Sequence, residues 1–178
     1  MARVSLIEEE DHPELAPLIA RIKGRRRGLL LNLYRMLLHS PPVAEKWFDQ
    51  NNAIRWETQI DGKIREIAII RIGALNRAEY VLKAHVPKMA LDEGVTLAQC
   101  DALMADWRGS PLFDAREQAV LAYVDAVTKE IRAPDAVFEP LRRHFSERQI
   151  VELTALIGTY NMHSRVLEAL QIERDEKM

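Results

Sequence analysis

The chain has 178 residues, 48% of them hydrophobic and 29% charged, which is enough for one domain with a substantial core. Its formal net charge of -2 creates no overall positive field, which argues against nucleic acid as a partner. A single cysteine, Cys100, excludes an internal disulfide and any dithiol chemistry within one chain.

The opening residues, through the acidic run Glu8 to Asp11, lack the long apolar stretch of a signal peptide. No segment approaches the roughly 18 apolar residues that a membrane span needs, so a cytoplasmic protein with no membrane partner is expected. Pro13 to Ile22 reads as a first helix and Leu29 to Leu38 as a second, with the basic run Lys23 to Arg27 between them as a solvated turn. Ser40-Pro41-Pro42 breaks the chain, and Pro42 suits the first turn of a helix running to about Thr58. Asp61-Gly62 marks a turn before a helix from Ile64 to Leu75. A helix from Arg77 to about Asp92 follows, bent at Pro87 and closed by Gly94.

Thr96 with Gln99 has capping-box spacing and opens a helix to Trp107, on which Cys100 shares a face with Leu97 and Met104 as a core residue. Helices are also expected over Ala115–Ile131 and Pro134–Phe145. A second capping box, Ser146 with Gln149, starts a long helix to about Ile172. This last helix is apolar nearly all round from Ile150 to Met162, which marks it as central in the bundle or buried against another subunit. No alternating run argues for a sheet, and the fold class is all-α.

The most informative chemistry lies between Arg65 and Gly94. Ala78, Val81, Leu82, His85 and Met89 share one helical face, apolar but for the histidine. Glu66, set among Ile64, Ile67, Ala68, Ile69 and Ile70, is the natural partner for that imidazole, with Arg71 a second candidate for the carboxylate. Such a pair is either a satisfied core contact or a general acid/base unit, and the residues alone do not separate the two. His12, His39, His85, His144 and His163 form no metal-ligand spacing, and no nucleotide or serine-hydrolase motif is present, so neither metal nor cofactor is expected.

This segment resembles the core of the carboxymuconolactone decarboxylase and alkylhydroperoxidase D-like superfamily. The residues that carry the likeness are Arg65 to Arg71, Leu75-Asn76, Glu79-Tyr80, His85-Val86-Pro87 and Gly94, with Leu30 to Ser40, Gly158 to Met162 and Arg165 extending it outward. The resemblance implies one domain over 1–178 with its core at about 42–130. The implied fold is an alkylhydroperoxidase D-like helical bundle that assembles with itself as a trimer or hexamer, with a dimer as the lesser alternative. It places the family glutamate on Glu66 and the family histidine on His85, but the two cysteine positions of the peroxidase branch fall on Ala78 and Val81. A thiol peroxidase needs a thiolate and a resolving thiol, so peroxidase activity is disfavoured.

The remaining expectation is a cofactor-independent lyase or isomerase acting on a small carboxylate or lactone. His85 would shuttle the proton, Glu66 would orient it, and Tyr80 would donate to developing negative charge; Arg71, Arg77, Asn161 and Arg165 would bind substrate. The alternative is a non-catalytic oligomer that binds a ligand in the same fold.

Overall fold

The computed structural model describes residues 2–175; Met1 and the last three positions of the expected single domain lie outside it. Among the described residues, two short 3-10 turns, Glu9–Asp11 and Pro13–Leu15, lead into ten helices. These are α1 (Ala16–Gly24), α2 (Asn32–Leu37), α3 (Pro41–Trp56), α4 (Gly62–Leu75) and α5 (Glu79–His85). Then follow α6 (Lys88–Asp92), α7 (Leu97–Met104), α8 (Ala115–Glu130), α9 (Asp135–Arg142) and α10 (Glu147–Leu170). Among the described residues there is no strand, and no helix is long and apolar enough to cross a membrane.

α4 is the axis of the bundle and packs against α5, α7, α8 and α10. The Asp61 carboxylate caps its first turn by accepting from the Ile64 N–H. From Ile64 to Gly73 every residue is buried, because this helix has neighbours on all sides. That is why its polar members, Arg65, Glu66 and Arg71, are forced to find partners inside the protein. Gly73 keeps the α4–α5 contact close: a Cβ there would lie 3.1 to 3.3 Å from the side chains of Val81 and Leu82.

Both expected capping boxes form, Thr96 with Gln99 on α7 and Ser146 with Gln149 on α10. A third, Asp114 with Glu117, opens α8. The expected helix from Arg77 to Asp92 is in fact two. Arg77 sits in a left-handed turn with φ 53°, and the chain leaves α5 at Val86, whose peptide bond to Pro87 is cis. Proline cannot donate to the carbonyl of a preceding turn, so α6 begins as a separate short helix after it. α7 ends at Met104, short of Trp107, and its buried face is narrower than expected: Cys100 and Leu103 are buried, whereas Leu97 and Met104 are exposed.

Candidate functional site

Glu66 lies at the buried centre of α4 and His85 ends α5. The Glu66 side chain has no solvent exposure and its Oε2 is 2.5 Å from His85 Nδ1. A carboxylate only accepts, so the imidazole carries its proton on Nδ1 and turns the Nε2 lone pair the other way. Arg55, from the last turn of α3, meets that lone pair with Nη1 at 3.4 Å. The same nitrogen donates to the Tyr160 hydroxyl of α10 at 2.9 Å, while Nη2 approaches the Met89 sulfur at 3.8 Å. Tyr160 also packs edge-on against the His85 ring, with centroids 5.7 Å apart.

The electrostatics follow from this packing. Burial works against an ionised Glu66, but the imidazole, Arg55 at 3.7 Å and Arg65 at 3.9 Å outweigh it and hold the carboxyl below its ordinary range. For His85 burial dominates and, with Arg55 and Arg65 nearby, lowers the imidazole despite the pull of Glu66. The resting pair is therefore a carboxylate and a neutral histidine. Arg65 is engaged by Glu93 at 2.7 Å, and both Arg65 Nε and Glu66 Oε1 are buried without a hydrogen-bond partner among the described residues.

Behind the pair the network is structural. His163 of α10 stacks on Tyr160 and accepts from Trp47 Nε1 at 3.0 Å, while its Nδ1 lies 2.9 Å from the Thr159 carbonyl. Those two contacts define a neutral ring, and burial pushes its pKa down to about 4.

Several residues expected at the site are held elsewhere. Arg71 forms a two-pronged pair with Asp125 of α8, at 2.6 and 3.0 Å, and donates to the carbonyls of Leu103 and Ala105. The Tyr80 hydroxyl donates to Asp175 at 3.0 Å, so the C-terminal segment and not a substrate satisfies it. Arg77 is exposed in its turn. Asn161 joins Asn76 to Thr128, and Arg165 is exposed and bonds back onto Asn161. None of these groups makes a direct hydrogen bond to Glu66 or His85 in the structure.

Arg55 and Tyr160 were not anticipated. A signal for Arg55 exists: α3 turns Ala44, Trp47, Phe48, Asn51 and Ile54 inward, and Arg55 borders that stripe. Tyr160 lies within a helix apolar on most sides, where nothing local distinguishes it.

The family model for the carboxymuconolactone decarboxylase family matches residues 41–126, the stretch from α3 to α8 that carries Arg55, Glu66 and His85. The whole bundle also superimposes on an alkylhydroperoxidase AhpD core, an uncharacterized peroxidase-related protein from Ralstonia eutropha. That match has a TM-score of 0.82 over 99% of this chain and 93% of that one, at 18% identity. The stretch that carries the site is thus similar to the carboxymuconolactone decarboxylase family, and the whole bundle has the alkylhydroperoxidase D-like fold. A protein of unknown function from Agrobacterium tumefaciens shares the fold at 27% identity, with a TM-score of 0.73 over 79% of this chain and 95% of that one. The uncharacterized Escherichia coli protein YnjA is 32% identical over 123 residues, which span 66% of this chain and 64% of YnjA.

Ala78 and Val81, the positions on which the resemblance sets the dithiol of the peroxidase branch, are both buried. Cys100 is buried too, and burial pushes its thiol up, away from the thiolate that peroxide chemistry uses. Among the described residues no group of three or more His, Cys, Asp or Glu side chains could hold a metal ion.

Proposed function

We propose that this protein is a cofactor-independent acid/base enzyme, a lyase or isomerase acting on a small carboxylate or lactone, with His85 as proton shuttle and Glu66 as its orienting base. The observation that carries the reading is the 2.5 Å contact between a wholly buried carboxylate and an imidazole whose other nitrogen keeps a lone pair. Nε2 takes a proton from a carbon beside the substrate carbonyl, and Glu66 balances the imidazolium that results. In isomerisation that proton returns to a neighbouring carbon; in decarboxylation no C–H bond is broken, and Nε2 instead takes a proton from solvent and gives it to the carbanion left when carbon dioxide departs. The same chemistry needs no thiol, in keeping with Ala78 and Val81. We place the protein in the cytoplasm as a homo-oligomer, with the exposed apolar side chains Leu91 and Leu97 in support of self-association.

The test is consumption of 4-carboxymuconolactone, together with a set of small unsaturated lactones and β-oxo acids, by wild type, His85→Gln and Glu66→Gln. Turnover by wild type that falls about 100- to 10,000-fold in His85→Gln is expected. No turnover on any of these compounds, or turnover indifferent to position 85, would remove the proposal.

A second reading is ligand binding without turnover. One observation favours it: the hollow of about 320 Å³ bordered by Tyr80, Lys83 and Leu167 and that of about 490 Å³ bordered by Phe138 and Ile150 touch neither Glu66 nor His85. Saturable binding of a lactone that is never consumed would select this reading.

A further inference from the structure

We infer that Arg55 is the binding group for the substrate's carboxylate, and that the arriving anion draws the guanidinium off His85 Nε2 to expose the lone pair that accepts the proton. This rests on the acid/base reading for the role of Nε2; the anion site itself does not.

The argument begins with what the buried arginines lack. Arg71 has both carboxylate oxygens of Asp125 within 3.0 Å, and Arg65 has Glu93 at 2.7 Å. Arg55 is different. Its nearest carboxylate oxygen, Glu66 Oε1, stands 3.7 Å from Nη2, beyond hydrogen-bond range. Its hydrogen bonds go to a phenol oxygen, to an imidazole at a long 3.4 Å and to a thioether sulfur, all neutral acceptors. A guanidinium offers five N–H groups in a planar fork that fits a carboxylate edge-on, and charge-assisted bonds of that kind are roughly twice as strong as neutral ones. An incoming carboxylate thus replaces weak partners with strong ones.

Position supports the same assignment. The side chain of Arg55 retains 11% exposure, unlike Glu66 beneath it. Its guanidinium carbon lies 5.0 Å from the ring centre of Trp56, which is 59% exposed, and Arg65 lies 5.5 Å from the same ring. The indole and the Met89 thioether provide apolar walls beside the cation. The chemistry that fits is a carboxylate carried on a small apolar body.

Charge completes the case. Around the imidazole stand Glu66 and Glu93 on one side of the balance and Arg55 and Arg65 on the other, with Tyr160 and the neutral His163 adding no charge. These four charges sum to zero. A bound carboxylate brings the region to one negative charge, which protonation of His85 then neutralises. Anion binding and proton uptake at Nε2 therefore favour each other, as linked equilibria must.

The experiment is calorimetric titration with benzoate, and with benzamide as its neutral counterpart, of wild type, Arg55→Gln and Arg55→Lys. His85 is followed in parallel by NMR titration of its imidazole. Wild type should bind benzoate saturably and benzamide at least tenfold more weakly. Arg55→Gln should lose at least about tenfold in benzoate affinity, equivalent to 1.4 kcal/mol, and Arg55→Lys, which keeps the charge without the fork, should fall between. Benzoate should raise the His85 pKa in wild type and leave it unmoved in Arg55→Gln, a readout that a purely structural arginine would not produce. If Arg55→Gln does not fold, the Arg55→Lys arm decides by the same two measurements. No benzoate binding by wild type, equal binding of benzamide, or affinity unchanged in both variants overturns the inference. Arg55-dependent binding without turnover of any lactone or oxo acid leaves the anion site standing and removes the acid/base reading alone.

Discussion

Acidification should weaken the fold through His163, and replacing that residue by glutamine should remove a defined part of the effect. The ring is buried and neutral, with Trp47 donating to Nε2 and the Thr159 carbonyl facing Nδ1. A proton added at Nε2 would confront the indole N–H in a buried site. The folded pKa is about 4, against 6.5 for an unperturbed imidazole. A base depressed in this way binds fewer protons folded than unfolded, so stability rises with pH between these two values and levels off above the upper one.

The slope is about 1.4 kcal/mol per pH unit well inside that window and smaller near either end, so the step from pH 6.5 to 4.5 should cost about 2 kcal/mol through His163. Against a total stability of about 5–15 kcal/mol that is a large fraction. Urea unfolding at pH 4.5, 5.5, 6.5 and 7.5 reads it directly, as a midpoint shift of about 1 M between pH 6.5 and 4.5. In His163→Gln the amide oxygen can still accept from Trp47 and nothing titrates. His85 is lowered as well, and Glu66 and Asp125 are lowered carboxyls, so both proteins lose stability in acid; only the difference between them belongs to His163. Parallel curves for the two proteins, or a wild type that gains stability toward acid, would refute the reasoning.

Two further perturbations separate structural residues from the candidate site. Arg71→Met strips the buried two-pronged partner from Asp125, which keeps the Trp107 indole N–H and two cations on half-exposed side chains, Arg108 and Lys129; a loss of about 3 kcal/mol in urea unfolding is expected, at the lower end for a broken buried pair. Tyr80→Phe removes the hydrogen bond to Asp175 and should cost about 1 kcal/mol, with benzoate affinity unchanged from wild type in the calorimetric assay.

Much of this molecule is determined by local sequence. The capping boxes at Thr96 and Ser146 start helices where they occur because the reciprocal bonds they form lie within one turn. The apolar run around Glu66 marks α4 as enclosed, and an enclosed carboxylate narrows the search for a partner to the few donors nearby, His85 among them. The likeness to the superfamily rests on the same stretch.

What the tertiary structure alone decided is which groups surround that pair. Arg55 and Tyr160 reach His85 from α3 and α10, 30 and 75 residues away along the chain, and helical periodicity reports which face of a helix is buried without saying what it meets. The same limit explains Arg71 and Tyr80. Their residue types suit substrate binding, but the packing of α8 against α4 and the return of the C-terminal segment over α5 give each a partner within the protein. Short-range pattern settles where helices begin and which sides turn inward; the docking of distant helices settles which charge lies against which lone pair, because that energy comes from burial shared among segments that the linear order keeps apart.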